Sequence, residues 1–140
     1  MVNKKVRNAT PTAYKGVVYR SKMEVTFAMM LDAEGIEYGY ESETWMLMQP
    51  QKYMGKTIRA VTYTPDFIVD NVIIEIKGWR NDVFPLKKKL IIKFINDNCP
   101  DTLFIEARNI NDMRLAISEI KKRRLCKTTQ SKFSSSTETT

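Results

Sequence analysis

Asp66 lies in TYTPDFIV, and Glu75 and Lys77 lie in VIIEIKG: three charged residues in otherwise apolar segments. Opposed carboxylates can anchor a hard divalent cation such as magnesium, which takes oxygen ligands and keeps several of its waters. A lysine beside them can orient an attacking water or stabilise charge on a phosphoryl group. The chain has no histidine, which removes Ser-His-Asp and Cys-His catalysis and histidine-ligated zinc. Cys99 and Cys126 are far apart with no CxxC spacing, so neither a disulfide framework nor a zinc site is indicated. Acid–base or metal chemistry falls to carboxylates, lysines, tyrosines and water, and oxygen ligands favour magnesium or manganese.

Position follows from counting. If Asp70-Asn71 forms a two-residue hairpin turn, Val69 faces Val72, Ile68 faces Ile73, Phe67 faces Ile74 and Asp66 faces Glu75. Side chains alternate along a strand, so Phe67, Val69, Val72, Ile74 and Ile76 form one wholly apolar face. Asp66, Ile68, Ile73, Glu75 and Lys77 share the other. Like charges directly across a strand pair are destabilising, and a cation between them reverses the sign. The competing reading is an exposed hairpin face with a Glu75–Lys77 surface pair.

Glu24 is a third candidate acid. It follows Ser21-Lys22-Met23, which fits a capping box in which Glu24 reaches back to the Ser21 N–H. On local sequence the cap is the better reading; a ligand would instead point at Asp66 and Glu75.

The surrounding pattern supplies the elements. Met23, Phe27, Met30 and Leu31 recur at helical spacing between an N-cap at Ser21 and a terminating Gly35. Val17–Tyr19, Trp45–Met48 and Thr57–Tyr63 read as strands, the last two separated by a polar loop around QPQKYMGK. The quoted hairpin follows, then a helix from Pro85 with Leu86, Leu90, Ile91, Phe94 and Ile95 as its stripe. TLFIEA, at 102–107, is a strand and Asn111–Leu125 a last amphipathic helix. The expected fold is α/β, a central mixed β-sheet flanked by α-helices. Residues 1–15 read as a flexible basic arm, 16–126 as the folded domain and 127–140 as a disordered Ser/Thr-rich tail.

With 140 residues and 23 Lys+Arg against 16 Asp+Glu, the net charge is +7. That excess suits a polyanion, nucleic acid being the commonest. No membrane span or signal pattern is visible, so an intracellular, cytoplasmic protein with no membrane partner is expected.

The ordered set KGVVYRSKMEV, GI-x-Y-x-Y-E, YTPDF and IEIKG resembles the PD-(D/E)xK nuclease superfamily, and more narrowly the phage endonuclease I type of Holliday junction resolvase. The resemblance spans about Gly16 to Ala107. It implies a restriction-endonuclease-like core in a nuclease domain at 16–126, and a magnesium-dependent endonuclease on DNA, with manganese able to substitute. Branched or junction DNA would be the preferred substrate, a homodimer the acting form, and the cytoplasm of a bacterial host the setting if the chain is phage-encoded. Asp66 and Glu75 would be metal ligands, joined by the Ile76 carbonyl; Glu24 would be an active-site acid and ligand; Lys77 would be the catalytic lysine. Lys87, Lys88, Lys89 and Lys93 follow immediately and would contact phosphates, with Arg20, Lys22 and Arg80 as lesser contacts. Rival readings are a nickase or site-specific endonuclease on the same core, or a noncatalytic basic DNA- or RNA-binding protein.

Overall fold

A computed structural model describes residues 10–76 and 84–136, with side chains described as far as Lys127. Strands β1 (Thr12–Tyr14) and β2 (Val17–Tyr19) form a hairpin, followed by helix α1 (Lys22–Ala33) and strand β3 (Gly39–Tyr40). Next come β4 (Trp45–Met48), β5 (Gln51–Tyr53), β6 (Lys56–Ile58) and β7 (Val61–Tyr63). Then follow β8 (Phe67–Val69), β9 (Val72–Ile76), α2 (Phe84–Asn98), β10 (Leu103–Ala107) and α3 (Ile110–Ser136).

The turn between β8 and β9 forms where the sequence puts it. Asp70 takes a positive φ of 53°, a conformation Asp tolerates better than most residues. The ladder is Phe67 with Ile74, Ile68 with Ile73 and Val69 with Val72, the register expected from counting. A slip of one residue by either strand would turn its apolar side chains, Phe67 and Val69 or Val72, Ile74 and Ile76, out of the core, a loss on the order of 2 kcal/mol for each. Packing therefore fixes which residues oppose which.

The central sheet has the order β10-β9-β8-β3. The β8–β9 and β3–β8 pairs are antiparallel and the β9–β10 pair is parallel, so the sheet is mixed and α2 is the crossover of a β-α-β unit. Phe67, Val69, Val72, Ile74 and Ile76 pack with Phe27, Ala28 and Leu31 of α1 and Met113, Ala116, Ile117 and Ile120 of α3. Across the sheet, Ile73 packs with Ile91 and Ile95 of α2 and with Tyr63, against Ile68, Trp45 and Phe104. The α/β class with helices on both faces of a mixed sheet is thus the observed one.

Three segments depart from expectation. Thr12–Tyr14 was expected in a flexible arm but forms β1. Lys15 and Gly16 both take positive φ (49° and 79°), the geometry of a tight hairpin turn, and the Tyr14 hydroxyl donates to Asp32 Oδ2 at 2.6 Å. The polar loop around QPQKYMGK contains the β5–β6 hairpin, turning at Met54-Gly55 with φ of 48° and 76°. Both its strands are exposed throughout, so no apolar alternation marked them. Helix α3 runs to Ser136 rather than stopping at Leu125, because neither glycine nor proline follows to end it. Among the described residues, no helix is long and apolar enough to cross a membrane.

Candidate active site

Glu24, Asp66 and Glu75 are the buried charged side chains among the described residues, with 6, 7 and 2% of their surface exposed. They arrive from three elements: the first turn of α1, the bend before β8, and β9. Carboxylates are rarely this buried without a cation partner, so their convergence calls for a physical cause.

Each acid is held by a different donor. Asp66 sits one residue before β8, and its Oδ2 accepts the Ile76 N–H at 2.8 Å, in place of a ladder acceptor. The Asp66 carbonyl accepts the Glu41 N–H at 3.0 Å, tying the bend to the exit from β3. Glu75 Oε1 accepts the Tyr63 hydroxyl at 2.7 Å. Glu24 Oε2 accepts the Tyr40 hydroxyl at 2.6 Å and the Arg20 N–H at 3.1 Å.

The capping question has a mixed answer. Ser21 is the N-cap, its Oγ accepting the Glu24 N–H at 3.2 Å. Glu24 reaches back as well, but to Arg20 rather than to Ser21 as a capping box would have it. The same carboxylate also acts on Asp66 and Glu75, pushing both of their pKa values up. One side chain fastens the helix start and belongs to the acid group.

Burial is the main reason all three acids are held above the usual carboxylate range. Asp66 is pushed up to about 8, by desolvation first and then by the Glu75 charge, against the pull of the Ile76 N–H. Glu75 is pushed up to about 7, again by desolvation first, while the Tyr63 hydroxyl and the Lys87 charge draw it down. Glu24 is raised by desolvation, with the Tyr40 hydroxyl opposing. A group of acids that repel one another in a desolvated place suits a divalent cation, and the donor set is all oxygen, which fits magnesium or manganese. Among the described residues, no three of His, Cys, Asp and Glu form a ready-made cage. Any cation here would depend on fewer carboxylates plus backbone oxygen and water, the usual magnesium arrangement.

Lys77 and Arg80 lie outside the described residues, as does Trp79. The lysines of α2 have different surroundings. Lys87 turns toward the acids, its Nζ 6.0 Å from the Tyr63 ring centroid and its charge acting on Glu75. Lys88 is bound to Glu106 Oε1 at 2.6 Å, and Lys93 pairs with Asp97 one turn on. Lys89 is exposed, as is Lys22 at the start of α1. Arg20 lies at the same end, its Nε 2.7 Å from Glu41 Oε1. In the basic run at 121–124, Arg124 is bound to Asp70, and Arg123 donates to the Asp101 carbonyl at 3.1 Å.

Sequence reasoning missed Tyr63, Tyr40 and Glu41. The only signal was proximity: Tyr40-Glu41 closes GI-x-Y-x-Y-E and Tyr63 opens YTPDF. Nothing local told that two hydroxyls would be donors to acids on other elements. Comparison with known proteins gives one family match, to a model described as phage endonuclease I, over residues 6–136. No curated protein and no solved structure matches.

Proposed function

The chain belongs to the phage endonuclease I family, and from that membership we propose a metal-dependent endonuclease that hydrolyses DNA phosphodiester bonds at Asp66, Glu75, Lys77 and Glu24. Pro65-Asp66 and Glu75-Ile76-Lys77 read as a PD-(D/E)xK set. The observation that supports this most is the shared burial of Glu24, Asp66 and Glu75, in which the Glu24 charge raises the pKa of the other two and the Glu75 charge raises that of Asp66. Such a cluster costs stability in the metal-free fold and has no packing rationale.

Asp66 and Glu75 would hold the cation with the Ile76 carbonyl, and Glu24 would act beside them through the metal's water. The Ile76 N–H fixes Asp66, so this one residue would serve the site through both its backbone donor and its backbone acceptor. A divalent cation bound there supplies charge for the phosphoryl oxygens and lowers the pKa of a water. Lys77, two residues from Glu75, would orient the attacking water or stabilise charge on the phosphoryl group. Lys87, Lys22 and Lys89 would meet the flanking phosphates, and Arg20 would do so after leaving Glu41. Selectivity for branched DNA and action as a homodimer are part of the same proposal and rest on the motif resemblance.

The test is cleavage of labelled four-way junction, linear duplex and single-stranded DNA, with magnesium or EDTA, beside Lys77→Ala. Magnesium-dependent cutting of the junction alone, lost in the variant, is expected. Equal cutting of all three would remove junction selectivity but keep the nuclease. A folded protein that binds DNA and never cuts it would overturn the enzymatic reading.

A further inference from the structure

We infer that Tyr63 and Tyr40 are positioning residues of the acid site, each fixing one oxygen of a glutamate so that the other is presented to a cation or its water. This rests on the endonuclease reading. The two bonds are alike although they come from unrelated elements. Tyr63 on β7 donates to Glu75 Oε1 at 2.7 Å, and Tyr40 on β3 donates to Glu24 Oε2 at 2.6 Å. A carboxylate held by one oxygen cannot rotate freely, and a ligand that rotates loses affinity for its metal.

The rings are themselves held. Tyr63 is 1% exposed, with Trp45 and Phe104 edge-on at 6.1 and 6.4 Å. Tyr40 lies 4.4 Å from the Tyr19 ring and 5.3 Å from Phe67, centroid to centroid. Its oxygen also accepts the Arg20 N–H at 3.2 Å, so the phenol is fixed at both its ring and its oxygen. Packing thus sets where each hydroxyl sits, and the hydroxyl sets the carboxylate. A fold seeking only stability would do as well or better with an apolar pair in place of buried Tyr63 and Glu75. Tyr38 offers the contrast: its hydroxyl meets that of Tyr19 at 2.9 Å, a pair with no acid in it.

The experiment uses the full chain with Tyr63→Phe, Tyr40→Phe and Tyr38→Phe, each removing one oxygen. Thermal denaturation against manganese concentration gives a metal midpoint that does not depend on cleavage. Initial rates of cutting over a range of one DNA substrate, under multiple turnover, give kcat and KM separately. For Tyr63→Phe the midpoint is expected to rise about ten- to hundredfold, with kcat falling and KM for DNA unchanged. Tyr40→Phe is expected to move the same way, and because Tyr40 is only partly buried this variant serves if Tyr63→Phe fails to fold. Tyr38→Phe is expected to lower the melting temperature at most. Wild-type midpoints and kcat in both Tyr63→Phe and Tyr40→Phe, or an equal shift in Tyr38→Phe, would overturn the inference alone. A wild-type protein that neither gains stability from manganese nor cuts DNA would overturn it together with the endonuclease reading.

Discussion

Asp66 and Glu75 carry a testable pH signature. Their folded pKa values lie above the ordinary 3.8 and 4.5, at about 8 and about 7. A raised acid stabilises the fold fully below its unfolded pKa and loses that contribution as pH rises through the folded value. The metal-free protein should therefore weaken between about pH 4 and pH 8, by a few kcal/mol relative to Asp66→Asn. Chemical denaturation of both proteins in EDTA at pH 4, 6 and 8 checks this: their stabilities should diverge as pH rises. A constant difference would mean that Asp66 is not desolvated as described. Asp66 and Glu75 stood out in the sequence because a charge among apolar neighbours is conspicuous, whereas Glu24 reads locally as a helix cap and enters the acid group only through the family resemblance. Tyr63 and Tyr40 did not stand out, since a tyrosine in a strand is ordinary and its hydroxyl's partner lies on another element.

Hairpin β8–β9 is the element that makes the site. Its register was readable because Asp70-Asn71 and the five-residue apolar face agree, and one slip would bury charge and expose Phe67. Ile74 is fully buried between α1 and α3 on that face. Ile74→Ala should cost about 2–5 kcal/mol in urea denaturation. Cleavage below its melting point should persist, because Ile74 points away from the acids. Loss of cutting in a variant shown to be folded would mean that the face supports the site more directly. Helix α2 was legible as an element, but the ion pairs of its lysines were not. Lys88 and Lys93 find Glu106 and Asp97, partners that a sequence window around the lysines does not rank. Lys88→Ala should consequently change DNA affinity less than substitution of the exposed Lys89 (Lys89→Ala), as read by fluorescence anisotropy at fixed salt. The β5–β6 hairpin escaped notice for a related reason: with both faces exposed, it has no apolar period to detect.

For the whole molecule, the net charge of +7 sets the long-range field. DNA binding should weaken steeply and log-linearly with salt, since each phosphate contact releases counterions. A flat salt profile in the same anisotropy assay would contradict phosphate contacts as the basis of binding. The overall architecture was legible because helical and strand periods alternate clearly from Ser21 to Ala107. Its margins were not: Thr12–Tyr14 join a hairpin through a positive-φ turn, and α3 continues past Leu125 without a stop signal.

The proposed role of the buried Asp66 and Glu75, with Glu24 beside them, is to hold a divalent cation. Its most direct test is the melting temperature of the wild-type chain at pH 8 as magnesium or calcium is added, beside the Asp66→Asn/Glu75→Gln double variant. The metal-free wild type is expected to melt below the variant, metal is expected to raise the wild type's melting temperature saturably, and the variant is expected not to respond. A wild type indifferent to metal, or a variant stabilised by metal to the same degree, would contradict it.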